Sequence, residues 1–176
     1  MTGRLRAALP QERELVRAWR NAPGVRAMMY STHEISAEEH ALWWAGLEGD
    51  PTRQLLMFEE GGEVRGVVIF SRIDRAARSA DWAFYAAPDA PKGLGSRMEA
   101  AALDHAFGAI GLESLACEVL TINSRVIALH ERFGFEPGQD RPARADAVRL
   151  SLSACQWWKL RPSLLADLAA RERRSA

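Results

Sequence analysis

The 176-residue sequence predicts a mixed α/β fold. Three observations lead there. Near the front, two apolar runs flank Glu60-Gly61-Gly62-Glu63, a β-hairpin signature. Behind them, apolar runs of strand length alternate with helical patterns, as in strand–helix–strand crossovers. Between these lies a turn, Lys92-Gly93-Leu94-Gly95, that leads from a strand straight into a helix.

The elements can be justified in order. Residues 3–9 read as a first strand and 11–20 as a helix stopped by Asn21-Ala22-Pro23-Gly24. Ser36-Ala37-Glu38-Glu39 has capping-box form, and the helix it opens carries His40, Trp43, Trp44 and Leu47 on one face before Asp50-Pro51 ends it. Residues 55–58 and 64–73 are the hairpin strands. A third strand, 80–87, is stopped by Pro88 and Pro91. Residues 93–110 form one helix whose polar side is only Arg97 and Asp104, so it should be largely buried. A fourth strand spans 115–120. Asn123 is expected to cap a helix ending at Phe133, with Gly134 as its left-handed C-terminal residue. Residues 148–152 continue the sheet, and Ser163 is expected to cap a last helix, about 163–173. With no internal repeat, low-complexity tract or long linker, one domain is expected over 1–176, its core about 3–155.

Composition excludes several classes. Lys+Arg and Asp+Glu both number 23, so no net charge draws the chain to nucleic acid or to an anionic membrane. No apolar run approaches the ~20 residues of a membrane span. Cys117 and Cys155 stand alone, without CxxC or a close His pair, so no metal site is expected. Isolated thiols without a secretory h-region lead us to expect a reducing cytoplasm.

Two constellations carry chemistry. Glycines 93 and 95 remove Cβ atoms where a helix begins, and the first helical amides and the helix dipole favour an anion there. Ser96 adds a hydroxyl, and Lys92 and Arg97 add positive charge. No GK[ST] follows, as a Walker loop requires, and no third glycine, as a dinucleotide fingerprint requires. The second constellation is Asn123 with the stripe Val126, Leu129, His130 and Phe133. There His130 reads either as a core-edge histidine or as a proton donor beside a cofactor.

These motifs, in this order and spacing over residues 81–135, resemble the acetyl-CoA-dependent N-acetyltransferases of the GNAT superfamily. That family carries [QR]-x-x-G-x-[GA] and, later, N-x-x-A-x-x-x-Y-x-x-x-G-F. Here Ala90 stands at the first [QR], and His130 replaces the tyrosine that protonates the leaving thiolate. The resemblance implies a central mixed, mostly antiparallel sheet with flanking helices and a splayed strand pair at the cofactor. Acetyl-CoA would pair its pantetheine with the main chain at Phe84, Tyr85 and Ala86. Its pyrophosphate would meet Lys92, Gly93, Leu94, Gly95, Ser96 and Arg97, and Asn123 would border the site.

W-R-N-A-P-G-V-R-A-M-M-Y-S at 19–31 and I-S-x-x-E-H-x-x-W at 35–43 resemble a subfamily. Its members acetylate the 4-amino group of UDP-linked amino-dideoxy sugars, in pseudaminic acid biosynthesis and flagellin modification. This implies a small-molecule sugar nucleotide as substrate, contacted by Arg20, Met29, Tyr30, His40 and Tyr85. His130 would be the acid, and Glu118 and Asp81 are both candidate bases, directly or through water. Two other readings stand beside it. One is an acetyltransferase of ribosomal-protein N-termini, which shares the W-R-N opening. The other is a non-catalytic acyl-CoA-binding module. Trp157 and Trp158 read as core or as a homodimer contact.

Overall fold

A computed structural model describes residues 3–175. Its centre is a seven-stranded sheet. The strands are β1 (Arg4–Ala7), β2 (Gln54–Glu60), β3 (Glu63–Asp74), β4 (Ser79–Ala86), β5 (Ser114–Leu120), β6 (Glu136–Pro137) and β7 (Ala147–Ser153). The spatial order is β1-β2-β3-β4-β5-β7-β6, and every neighbouring pair is antiparallel except β4 with β5. The helices are α1 (Arg13–Asn21), α2 (Pro23–Arg26), α3 (Ala37–Ala45), α4 (Leu94–Asp104), α5 (Ser124–Arg132) and α6 (Ala154–Ser175).

The parallel pair fixes what the sheet can do. β4 and β5 pair only at Ser79–Asp81 against Ser114–Ala116. Beyond that point β4 stays paired with β3 as far as Ala86, and β5 with β7 as far as Leu120. Each strand therefore keeps a full-length partner on its outer side while the two diverge from each other. This is the splayed pair that the sequence implies.

Strand side chains alternate between two faces, and the two cores follow that alternation. On one face Leu56, Phe58, Val68, Phe70, Trp82, Leu115 and Cys117 pack against Leu94, Met98 and Leu103 of α4, Phe133 and Trp157. On the other, Leu55, Met57, Val67 and Tyr85 pack against Val16 of α1, with Trp43 and Trp44 of α3 alongside. Ser36 Oγ accepts the Glu39 amide at 3.1 Å, which is the expected cap of α3. Gly134 has φ 91° and ends α5 in the left-handed region.

Three expectations are corrected. The helix expected at 93–110 is α4 followed by a π-helical turn over His105–Ile110. The two adjacent polar residues at the junction are held by different elements. Asp104 is gripped by Arg161 and Trp157, while His105 bonds Gln54 and stacks on Phe70. Asn123 occupies the N-cap position of α5 without a side-chain cap bond. Finally, no separate helix starts at Ser163. The helix begins at Ala154 and runs through Pro162. The signal missed in the sequence is Ser153-x-x-Gln156, a capping box whose hydroxyl accepts the Gln156 amide while the Gln156 side chain accepts the Ser153 amide. Ser163 Oγ instead donates to Leu160 O inside the helix.

Trp157 is fully buried, stacks on Phe133 and donates to Asp104 at 3.1 Å, whereas Trp158 is half-exposed. Trp157→Ala should cost about 3–5 kcal/mol in denaturant unfolding, and Trp158→Ala under about 1 kcal/mol.

Candidate active site

The divergence of β4 and β5 opens a cleft of about 1120 Å³ between them, bounded by the start of α4 and by α5. Phe84, Tyr85 and Ala86 line it along β4. Past Asp81, the side of β4 that would have faced β5 has no strand partner. Its main-chain groups are thus open to a ligand that can pair with an extended strand.

The far end of the cleft is the turn into α4. Lys92, Gly93, Leu94, Gly95, Ser96 and Arg97 all border it, as does Asn123. Gly93 is the N-cap residue at φ 82°, a conformation costly for a side-chain-bearing residue. The Leu94 amide is taken by Pro91 O, and the Ser96 and Arg97 amides by Gly93 O. The Gly93 and Gly95 amides make no main-chain hydrogen bond among the described residues, leaving two donors for an anion. Side chains here divide into two groups. The Arg97 guanidinium is forked onto Glu60 at 2.7 and 2.9 Å, and Arg132 donates to Ser96 Oγ at 2.5 Å. Lys92 and Arg125 line the cleft, exposed, with no ion pair among the described residues. Arg97 is thus held twice, its guanidinium by Glu60 and its amide by Gly93 O, whereas the Lys92 and Arg125 side chains are exposed at the cleft.

His130 lies in the cleft wall, 3% exposed, with Trp82 and Phe84 edge-on to its ring and Phe135 beside it. Its Nδ1 is 2.8 Å from Oε1 of Glu99 on α4. Glu99 is completely buried, its Oε2 has no hydrogen-bond partner, and burial pushes its carboxyl above the ordinary range.

Glu118 also borders the cleft, on the opposite face of the sheet from Cys117 and Trp82. Oε2 accepts the Tyr30 hydroxyl at 2.5 Å and the Ala143 amide at 3.0 Å. Oε1 accepts Arg149 at 3.1 Å. Burial pushes Glu118 up, but these hydrogen bonds outweigh it and hold the carboxyl below its usual range. Burial and then the Glu118 contact push the Tyr30 hydroxyl up to about 12, so Tyr30 remains the donor. The Arg144 guanidinium lies 5.3 Å from the centre of the Tyr30 ring and also donates to Tyr30 O. Glu118 thereby ties the segment around Tyr30 to the segment before β7.

The remaining candidates lie elsewhere. Asp81 is outside the cleft lining. It sits at the paired end of β4, with both oxygens on Arg149 and a further ion pair to Arg72. Arg20 does not reach the cleft; it donates to Ser31 O at 2.9 Å, bracing the segment that carries Met29 and Tyr30. Met29 does line the cleft. His40 is buried against Trp43 and Trp44, with neither ring nitrogen hydrogen-bonded among the described residues, and burial lowers its pKa. The Tyr85 hydroxyl points to Val16 O at 3.5 Å, and burial pushes it up. Sequence reasoning missed Glu99, Arg125 and Arg149. For Glu99 a signal existed: a lone acid among Met98, Ala100, Ala101 and Ala102 on a helix expected to be buried.

Residues 4–136 match the family model for the acetyltransferase (GNAT) domain. The chain belongs to the GNAT acetyltransferase family. As a GNAT protein it is an acyltransferase, and its acyl donor is acetyl-CoA, which the open edge of β4 and the glycine turn fit. Among curated relatives, two proteins called acetyltransferase PseH, from two strains of Campylobacter jejuni, are each 27% identical over 125 residues. The match spans 71% of this chain and 77% of theirs. A solved Campylobacter jejuni PseH superposes with a TM-score of 0.69 at 21% identity, over 87% of this chain and 99% of that one. A Vibrio cholerae spermidine N-acetyltransferase, solved with CoA and spermine, superposes with a TM-score of 0.79 at 20% identity, over 89% and 98%.

A Cβ on Gly95 would make only ordinary contact with Leu129 and Phe84. Gly95→Ala should therefore be mild. The branched methyls of Gly95→Val should raise KM for acetyl-CoA about tenfold or more, roughly 1.4 kcal/mol of binding. Steady-state kinetics at saturating acceptor checks this.

Proposed function

We propose that this GNAT protein transfers acetyl from acetyl-CoA to the 4-amino group of a UDP-linked amino-dideoxy sugar, as in pseudaminic acid biosynthesis. One observation carries the reading. The segment 19–31, whose sequence resembles the sugar-nucleotide acetyltransferases, reaches one end of the cleft, where Val25, Met28 and Met29 form an apolar wall and Tyr30 touches Glu118. A deoxy sugar presents a methyl group to such a wall and its amine to the carboxylate. The match to the PseH proteins over 125 residues supports the same subfamily. Both substrates of the reaction are cytoplasmic metabolites, which is where we place the protein.

The chemistry is direct attack. An ammonium has no lone pair, so the amine must lose a proton before it adds to the thioester carbonyl. Glu118 is held ionised through neutral pH and attracts the ammonium. Three donors already occupy its oxygens, so the proton leaves through a water beside it. Asp81, pinned by two arginines away from the cleft, has no part in this step. The tetrahedral oxyanion is met by an unpaired β4 amide. The C–S bond then breaks, and His130 protonates the thiolate. Arg20 acts indirectly, holding Ser31 and hence the segment that carries Met29, which lines the cleft, and Tyr30, which stands outside the lining on Glu118. His40 packs α3 and makes no substrate contact.

The first test measures coenzyme A release with UDP-4-amino-4,6-dideoxy-HexNAc, the same sugar already acetylated at N4, and an N-terminal ribosomal peptide. Turnover of the free-amine sugar alone is expected. Turnover of the peptide alone would replace the sugar by a protein acceptor, and saturable acetyl-CoA binding without turnover would favour a non-catalytic module. Glu118→Gln should lower kcat by about 10²–10⁴-fold with acetyl-CoA affinity unchanged; a near-wild-type kcat would remove Glu118 from the mechanism. Arg20→Ala should raise KM for the sugar nucleotide and leave that for acetyl-CoA unchanged, whereas an equal rise in both would indicate misfolding.

A further inference from the structure

We infer that Glu99 is a positioning residue that fixes which nitrogen of His130 carries the proton, so that Nε2–H is the face offered to the cleft and to the departing sulfur. The inference rests on His130 being the acid of the acyl transfer proposed above.

The geometry leaves one arrangement. Nδ1 is committed to Glu99 at 2.8 Å. Nε2 has no partner among the described residues and is not among the sealed polar atoms, so it is the nitrogen reached from the cleft. Trp82, Phe84 and Phe135 pack around the His130 ring, and Glu99 behind it is completely buried. A net charge there is costly, so the pair holds one proton between carboxyl and Nδ1 and a second on Nε2. Both ways of drawing the shared proton keep Nε2 protonated. A neutral carboxyl donating to Nδ1 leaves the Nε2–H tautomer, and a carboxylate accepting from Nδ1–H leaves an imidazolium. The unpartnered Oε2 and the upward push of burial favour the neutral carboxyl.

The proton inventory then closes. As the C–S bond breaks, the electron pair goes to sulfur and the Nε2 proton follows it. The shared proton passes fully to Nδ1, so the ring ends neutral and Glu99 ends as a carboxylate. Water in the cleft returns the proton. An imidazole without that carboxyl has no proton to take up at Nδ1 as the Nε2 proton leaves; Glu99 supplies it. The other titratable neighbours do not compete. Cys117, whose thiol is pushed up by burial and then by Glu99, stays neutral. Arg132 on α5 favours a Glu99 carboxylate only weakly. Glu118 and Arg149 lie across the sheet and are satisfied by each other and by Tyr30 and Asp81.

Two measurements test it. The first needs no substrate, so it stands even if the sugar reading fails. Long-range ¹H–¹⁵N spectra of histidine-labelled protein, with His130→Phe for assignment, should show Nε2 protonated from about pH 6 to pH 8. Titration with a midpoint near 6.5, or an unprotonated Nε2 at pH 7.5, would overturn the inference. The second uses whichever amine is turned over. Glu99→Gln should lower kcat at pH 8 at least about tenfold, within the range a general acid supplies. Activity should recover toward pH 6, and KM for acetyl-CoA should stay within about twofold. In a His130→Phe background, Glu99→Gln should cost nothing further. An equal loss in both backgrounds, or an unchanged pH profile, would make Glu99 merely structural. Glu99→Asp, which keeps the carboxyl, provides a second variant if glutamine does not fold, and it should retain the alkaline activity that glutamine loses.

Discussion

Everything in this molecule depends on the short run of pairing between β4 and β5. These strands bond only at Ser79–Asp81 against Ser114–Ala116, while each keeps a longer antiparallel partner on its outer side. Had they continued as a ladder, the main-chain donors and acceptors of Trp82–Ala86 would be consumed and no cleft would exist. A gap through the middle of a sheet also has two sides. Side chains alternate along a strand, so His130 with Trp82, Phe84 and Cys117 belongs to the face covered by α4 and α5. Glu118 and Tyr85 belong to the face covered by α1 and α3. His130 and Glu118 thus approach one opening from opposite faces, and in the proposed reaction donor and acceptor would enter separately.

The two carboxylates of this site show how environment divides one chemical group into two tasks. Glu118 receives a tyrosine hydroxyl, a backbone amide and a guanidinium, and their summed attraction exceeds its desolvation. It is held charged. Glu99 has a single imidazole partner in an apolar enclosure, and desolvation prevails. It is held toward neutrality. The first suits attraction of a cation, the second suits keeping a proton beside a leaving group. The same contrast explains why Arg97, forked onto Glu60, and Asp81, pinned between Arg149 and Arg72, serve the framework although both looked like site residues by position.

Much of the fold was legible because it depends on local chemistry. The hairpin followed from Gly61-Gly62, the α3 start from Ser36, the α5 stop from Gly134, and the glycine turn from Gly93 and Gly95. All ten residues expected at the cofactor border one cleft, because a motif on a strand–turn–helix carries its own geometry. The errors came where distant contacts outweighed local signals. Pro162 and Ser163 mark a helix break locally, yet burial of Trp157 and the Arg161–Asp104 pair keep α6 continuous. Asn123 has the right identity for a cap but does not make the bond.

The sequence by itself determined the family, most of the sheet-forming segments and the glycine turn into α4, since period, capping and glycine placement act within a few residues. Only the tertiary structure decided partnership: that His130 leans on Glu99, 31 positions away, that Tyr30 meets Glu118 across 88, and that His40 and Asp81 stay out of the cleft. The reason is physical. Whether a side chain is buried, charged or free depends on what the fold places against it, and that is set by strand register and helix packing rather than by its neighbours in the chain.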